Sequence, residues 1–94
     1  MRDAAFEWDD AKASSNLRKH GVIFDRARAV FRDPFAIERL DDREAYGEER
    51  FVIVGMVDAR LLTVAYTMRG DRVRIISARG AEPDEHRQYH EENR

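Results

Sequence analysis

The chain has 94 residues, 43% of them hydrophobic and 38% charged, which fits one folded domain spanning residues 1–94 and leaves no room for a second core. It has no cysteine, which excludes disulfides, thiolate metal ligands and a cysteine nucleophile. The first ten residues carry charges where a signal peptide needs an apolar run, and no apolar stretch approaches the ~18 residues of a membrane span, so we expect a cytoplasmic protein without a membrane partner.

The charge distribution is more informative than the net charge of −2, which argues against a nucleic-acid partner. All basic residues except Lys12 and Lys19 are arginines, and five of them lie between Arg60 and Gly80 beside a single acid, Asp71. Arginine matches the geometry of phosphate and stays charged. The alternative is that interleaved charges only solubilise a small surface.

The first elements are a short strand and a helix. Phe6–Trp8 alternates apolar and polar residues, which predicts a strand. Asp9 or Asp10 offers an N-cap for a helix over Ala11–His20, and Gly21 is suited to end that helix because it adopts the left-handed conformation without steric cost.

A second helix is predicted from Asp25, where apolar residues follow at i, i+3 and i+4 spacing, to just before Pro34. Phe35–Leu40 is a candidate strand, and Asp41–Glu49 is a polar, acidic loop.

Three strands are predicted in the second half, over Arg50–Val57, Leu61–Met68 and Arg72–Arg79. They are rich in β-branched and aromatic residues and are joined by three-residue turns, so they must form an antiparallel meander. Strict alternation along the last strand puts Arg72 and Arg74 on one face and Arg79 on the other.

A terminal helix is predicted to begin at Asp84 or a neighbour and to end near Glu92, with Pro83 in its first turn. Because this helix is short and acidic and has little apolar area, we expect it to dock weakly through exposed charge pairs. We therefore expect it to be mobile in the isolated protein, where it covers and uncovers the arginines. The predicted fold class is α+β, with two N-terminal helices packed on an antiparallel sheet and a short C-terminal helix.

Five segments cover nearly the whole chain in a fixed order: FEWDDAKASSNLRKHGV (6–22), FDRARAVFRDP (24–34), GEERFVIVG (47–55), LLTVAYTMRGDRVRIISARGA (61–81) and EHRQY (85–89). In this order and spacing they resemble the BrnT family of toxins.

The resemblance implies a RelE-like fold and metal-independent cleavage of RNA by an endoribonuclease toxin of a type II toxin–antitoxin system, with no cofactor. It also implies a BrnA-like ribbon-helix-helix antitoxin in a 2:2 complex, with promoter DNA bound only through that antitoxin. Family members often carry two basic residues at the end of the last strand, whereas here Gly80 follows Arg79.

Metal-free RNA cleavage needs a base for the 2′-OH, cations for the developing phosphorane charge and a proton for the leaving 5′-oxygen. Arg69, Arg74 and Arg79 are the candidates for the phosphate clamp, because they crowd the last hairpin and its strand. The alternative is that they are solvent-facing residues that prevent association between sheet edges.

His20 ends the first predicted helix and is a candidate catalytic group, although a cation is also favoured there by the helix dipole. Lys12 and Lys19 lie seven residues apart on one helical face and are candidate RNA contacts, or simply a solvated surface.

Glu85 and Tyr89 are candidate acid or base groups if the terminal helix folds beside Arg79. His86 and His90 have a zinc-like spacing but no evident third ligand, so no metal site is predicted.

Three functions remain open on the sequence. The chain is favoured to be a ribonuclease toxin, the alternative is a non-catalytic module of the same fold that binds an antitoxin or nucleic acid, and the third is a small structural domain.

Overall fold

The computed structural model describes residues 1–94 and contains a five-stranded sheet with three helices. The elements in chain order are β1 Phe6–Glu7, α1 Asp10–His20, α2 Phe24–Ala27, a 3₁₀ turn Arg28–Arg32, β2 Ile37–Asp41, β3 Arg50–Val57, β4 Arg60–Arg69, β5 Arg72–Gly80 and α3 Pro83–Glu92. None of these helices has both the length and the hydropathy needed to cross a membrane.

The strand order is β1-β5-β4-β3-β2, so the predicted meander forms the centre of the sheet. The prediction of a purely antiparallel sheet is wrong at β1, which pairs in parallel with β5. The reason is that no hairpin joins these two strands. β1 is the first strand of the chain and β5 is the last, so no tight turn sets their relative direction. The free edge of β5 can pair with a strand of either direction.

The sheet is covered on both faces, which corrects the predicted arrangement of the helices. The larger core lies between one face and the segments α1, α2 and the 3₁₀ turn, with Phe24, Val30, Val64 and Ile75 fully buried. A second core on the opposite face joins α3 to the sheet through Tyr89, Val54 and Leu61. The predicted second helix is one α-helical turn continued by the 3₁₀ turn rather than a single α-helix.

α1 is fixed to the sheet by one buried polar side chain. The predicted caps are confirmed, because the Asp9 side chain accepts from the Lys12 N–H and Gly21 is left-handed with φ of 68°. Between them, buried Asn16 donates to the carbonyls of Ala78 (2.8 Å) and Val22 (3.1 Å) and accepts from the Ala78 N–H (3.1 Å). The Asn16 side chain therefore forms hydrogen bonds with the backbone N–H and carbonyl of Ala78, which do not pair with β4.

A β-bulge in β5 decides which arginines share a face. Tyr66 pairs with Ile75 and Ala65 pairs with Ser77, so Ile76 is an extra residue in the ladder. An extra residue reverses the alternation beyond it. Arg74, opposite Thr67, and Arg79, opposite Thr63, consequently lie on the same face, and the prediction that they lie on opposite faces is wrong.

Asn16→Ala should lower the free energy of unfolding by about 3 kcal/mol, because it leaves the N–H and carbonyl of Ala78 buried without a partner. Ser15→Ala, at an exposed neighbouring position of the same helix, should change it by less than about 0.5 kcal/mol. Urea unfolding of the two variants makes the comparison. Equal effects would show that α1 is held by its apolar contacts alone.

Candidate active site

The face of the sheet that carries α3 also carries the arginines of the last hairpin, and we call it the arginine face. Arg69 and Arg72 pair across the hairpin, and Arg74 and Arg79 follow on the same side of β5. The six residue-to-residue steps from Thr63 to Arg69 along β4 correspond to ~20 Å at about 3.3 Å per step. The row of arginines from Arg69 to Arg79 is therefore too long to bind a single phosphate. Its length matches that of an RNA strand of several nucleotides.

Arg79, at the end of this row, forms a two-point ion pair with Glu85 at the start of α3. Its Nη1 lies 2.7 Å from Oε1 and its Nη2 lies 3.1 Å from Oε2. The same carboxylate accepts from Thr63 Oγ1 at 3.0 Å and from the Glu82 N–H at 2.9 Å. The Glu85 side chain is 7% exposed and that of Arg79 is 31% exposed, so only the arginine reaches solvent.

The local sequence explains why Glu85 points inward. Pro83 starts α3, and Glu82 and Glu85 form a reciprocal capping box in which each side chain accepts from the other residue's backbone N–H. Because Glu85 occupies the first turn of a helix that packs on β3 and β4, its carboxylate also meets Thr63 and Arg79. The cap and the ion pair thus use one side chain.

Glu85 is ionised in the folded protein. Burial raises the pKa of its carboxyl, but the hydrogen bonds from Arg79, the Glu82 N–H and Thr63 outweigh burial and hold the pKa below its ordinary value. Hydrogen bonding to Glu85 in turn raises the pKa of Arg79. A carboxylate held in this state is a weak proton acceptor near neutral pH, so the geometry supports a positioning role for Glu85 rather than the predicted acid–base role.

The other predicted arginines also face carboxylates. Arg74 lies 2.7 Å from Glu7 of β1, and Arg69 lies 3.8 Å from Glu48 in the loop between β2 and β3. These partners hold the guanidinium groups in place, but they also offset positive charge that would attract RNA. Arginine enrichment in the sequence therefore overstates the free positive charge of this face.

Tyr89 lies one turn beyond Glu85 and has a different environment. Its hydroxyl donates to Asp33 Oδ2 at 2.7 Å, and the same oxygen accepts from the Met56 N–H at 2.7 Å. Burial and this hydrogen bond to Asp33 raise the pKa of Tyr89 to about 12. The contacts make Tyr89 an anchor of α3, so the predicted acid–base role finds no support in the geometry. The prediction of weak docking through exposed charges is also wrong, because buried Tyr89 and Glu85 hold the helix.

The candidates on α1 are not brought to Arg79. Lys12, Lys19 and His20 are exposed, and their side chains form no hydrogen bond or ion pair. α1 packs on the opposite face of the sheet through Asn16. The sequence could not reveal this separation, because it shows that a helix is amphipathic but not which face of the sheet it covers.

Arg43 is a residue of the arginine face that the sequence prediction missed. Its Nε and Nη2 lie 2.8 and 3.0 Å from the two carboxylate oxygens of Asp41, whose side chain is only 2% exposed. Tyr46 also donates to that carboxylate at 3.3 Å. The charge of Arg43 lies near enough to Arg79 to oppose the rise in its pKa. The only signal in the sequence was an arginine in an acidic loop, a pattern typical of solvated surface.

Gly80 has a neighbour that the sequence did not indicate. Arg60, at the start of β4, places its Nη2 2.9 Å from the point that a Cβ on Gly80 would occupy. A second guanidinium therefore stands at the end of β5, although it belongs to the adjacent strand. It lies on the face opposite Arg79, because residues 79 and 80 of the strand alternate.

No group of three His, Cys, Asp or Glu side chains is arranged to hold a metal ion, and His86 and His90 have no third ligand. The arrangement that remains is a guanidinium fixed by a buried carboxylate on a face with further arginines. Such a guanidinium can bind a phosphodiester and stabilise charge that develops on it.

Glu85→Gln should lower the free energy of unfolding at neutral pH by about 3 kcal/mol, the lower end of the range for breaking a buried pair, because Arg79 keeps partial access to solvent. The folded-state pKa of Glu85 is depressed, so its contribution is complete above the ordinary value of about 4.3 and is lost as the pH falls through the lowered value. The difference from wild type should therefore shrink between neutral pH and about pH 3 in urea unfolding. A difference in the free energy of unfolding that stays constant with pH would show that the ionised Glu85 carboxylate is not what stabilises the fold.

Comparisons with known proteins bear on this face. No curated protein matches the chain in sequence. The model of the family described as the ribonuclease toxin BrnT of type II toxin–antitoxin systems matches residues 8–85, from Trp8 through strands β2 to β5 to Glu85. The chain therefore belongs to the BrnT family of ribonuclease toxins.

Proposed function

We propose that this protein is an endoribonuclease toxin that cleaves RNA without a metal ion and has Arg79 as its main stabiliser of transition-state charge. The observation that carries the proposal is the two-point contact between Arg79 and buried Glu85, which fixes a partly exposed guanidinium on the arginine face beside α3. Membership of a ribonuclease toxin family supports RNA as the substrate.

In the proposed reaction the 2′-oxygen of one nucleotide attacks its own 3′-phosphorus, and the bond from phosphorus to the next 5′-oxygen breaks. The proton of the 2′-OH passes to a base, and the leaving 5′-oxygen gains a proton. The products are a 2′,3′-cyclic phosphate and a 5′-OH. Arg79 donates to a non-bridging oxygen as negative charge grows on it, through the N–H groups that neither Glu85 nor the Gly80 carbonyl occupies.

The remaining groups have supporting roles in this proposal. Arg74 and Arg69 contact phosphates farther along the strand, because they lie in one row with Arg79. Lys12 and Lys19 contact only RNA that passes around the domain, and His20 takes part only if the bound RNA reaches the end of α1, since all three are exposed on the other layer.

The proposed setting is that of a RelE-like cytoplasmic toxin that arrests growth until an antitoxin neutralises it. We propose an antitoxin of the BrnA type in a 2:2 complex, with promoter DNA bound through its ribbon-helix-helix domain. Membership of a type II family supports the antitoxin, and its identity and stoichiometry follow from family resemblance alone.

One observation favours the alternative of a non-catalytic binding module. Arg69, Arg74 and Arg79 each face a carboxylate, so the free positive charge of the arginine face is modest. A surface of paired charges suits a protein partner as well as RNA. Cleavage of purified RNA separates the two functions.

Arg79→Ala should lower the rate of RNA cleavage by ~10²-fold or more, the order expected for one lost donor to transition-state charge. Because this change leaves Glu85 buried without its partner, Arg79→Lys is the companion variant that keeps the charge but loses the two-point contact, and it should fall between Arg79→Ala and wild type. Arg18→Ala, at an exposed position of α1, is the control and should cleave normally. Equal losses of cleavage rate in folded Arg79→Ala and Arg18→Ala would show that Arg79 does not belong to the active site.

Cleavage should persist in EDTA and leave 2′,3′-cyclic phosphate ends, because the proposed nucleophile belongs to the RNA and the charge is stabilised by arginine. Electrophoresis of end-labelled RNA with and without phosphatase treatment identifies these ends. Loss of activity in EDTA with recovery on added Mg²⁺ would overturn the proposed chemistry.

A further inference from the structure

A cavity of about 220 Å³ opens on the arginine face between α3 and strands β2 and β3. Its floor is apolar and consists of Ile37, Val52 and Val54. Glu85 forms part of its wall, so the cavity lies beside the carboxylate that holds Arg79.

Polar side chains without partners surround this floor. Gln88 and Glu92 follow Glu85 at i+3 and i+7 and thus lie on one face of α3. Arg39 of β2 pairs with Val52 of β3, which places it on the same side of the sheet. Gln88, Glu92 and Arg39 are exposed at the rim and form no hydrogen bond or ion pair within the protein.

We propose that this cavity binds one unpaired nucleobase of the RNA, that Gln88 determines which base is preferred and that Arg39 stacks on whichever base is bound. The inference rests on the proposed function, since it places the base next to the phosphate bound by Arg79. The cavity is smaller than the ~300 Å³ of the smallest ordinary ligand sites, so it holds a single ring system and no base pair.

Charge decides that a base rather than a phosphate enters. Arg79 offsets the charge of Glu85, but Glu38 and Glu92 also line the cavity and outnumber its one cation, Arg39, so the lining repels a phosphate. A carboxylate, in contrast, accepts hydrogen bonds from the amino groups of bases. The amide of Gln88 both donates and accepts, which allows it to bind the edge of a base in two places. The planar guanidinium of Arg39 can stack on the base above the valine floor.

Base preference is measured with four single-stranded chimeric oligonucleotides. Each has one ribonucleotide in a DNA strand, and the four differ in that base; a second set varies its 3′ neighbour. Wild type should prefer one base by ~10-fold or more in kcat/KM in one of the sets, the size expected from one base-edge interaction. Gln88→Leu should reduce the preference below about threefold while the least favoured oligonucleotide is still cleaved. Arg87→Leu, at an exposed position of α3 outside the cavity, should retain the preference.

Arg39 is tested by two substitutions. Arg39→Ala should lower kcat/KM by about tenfold for all bases, the lower end of the range for one lost stacking contact. Arg39→Lys keeps the positive charge but lacks the planar guanidinium that stacks. Its kcat/KM should therefore fall as far as that of Arg39→Ala. Wild-type activity in Arg39→Lys would overturn the stacking role.

Binding of the matching uncleavable 2′-O-methyl oligonucleotides separates this inference from the proposed function. Cleavage by wild type with equal kcat/KM for all bases in both sets would overturn the nucleobase site and leave the ribonuclease intact. A second outcome is that wild type does not cleave but binds one base preferentially, and Gln88→Leu abolishes that preference. This outcome would overturn the ribonuclease activity and support the nucleobase site. If the protein neither cleaves the oligonucleotides nor binds one base preferentially, both the ribonuclease activity and the nucleobase site are overturned.

Discussion

The ion pair between Arg79 and Glu85 is the contact on which the arginine face depends. It joins the last strand to the terminal helix, it uses the capping residue of that helix, and it fixes the guanidinium of Arg79 beside that helix. Burial of Glu85 is tolerated because its carboxylate accepts four hydrogen bonds. Removing one partner would leave the other uncompensated, so the helix, the strand end and the site are energetically one unit.

The same arrangement of a buried acid beneath a more exposed arginine recurs on this face. Asp41 holds Arg43 by two contacts, as Glu85 holds Arg79. In both cases the carboxylate fixes the fork of the guanidinium and leaves other N–H groups free for a ligand. Arginine held in this way loses little side-chain entropy when it binds phosphate, which favours binding even where the net charge is small.

Docking of α3 has a consequence for any partner of this face. Tyr89 joins Asp33, which also caps the backbone of β3, so the helix is held at its second turn as well as its first. The helix forms one wall of the nucleobase cavity and carries the carboxylate of the ion pair. A partner that displaced α3 would therefore remove the cavity and release Arg79 in one step.

The sequence by itself determined the elements whose information is local. The meander strands were predicted within a residue or two of their ends, and the caps at Asp9 and Gly21 and the start of the terminal helix at Pro83 were visible because each depends on a few neighbouring residues. The order of the segments was also sufficient to indicate the family that the comparison then showed.

Only the tertiary structure decided how those elements form a site. Alternation within β5 predicted Arg74 and Arg79 on opposite faces, and the bulge at Ile76 reversed this because register is set by the partner strand and not by the strand itself. Likewise, neither the acid that each arginine meets nor the face that α1 covers is encoded at neighbouring positions. Glu7 and Arg74 lie 67 residues apart, and their contact exists only once β1 closes on β5.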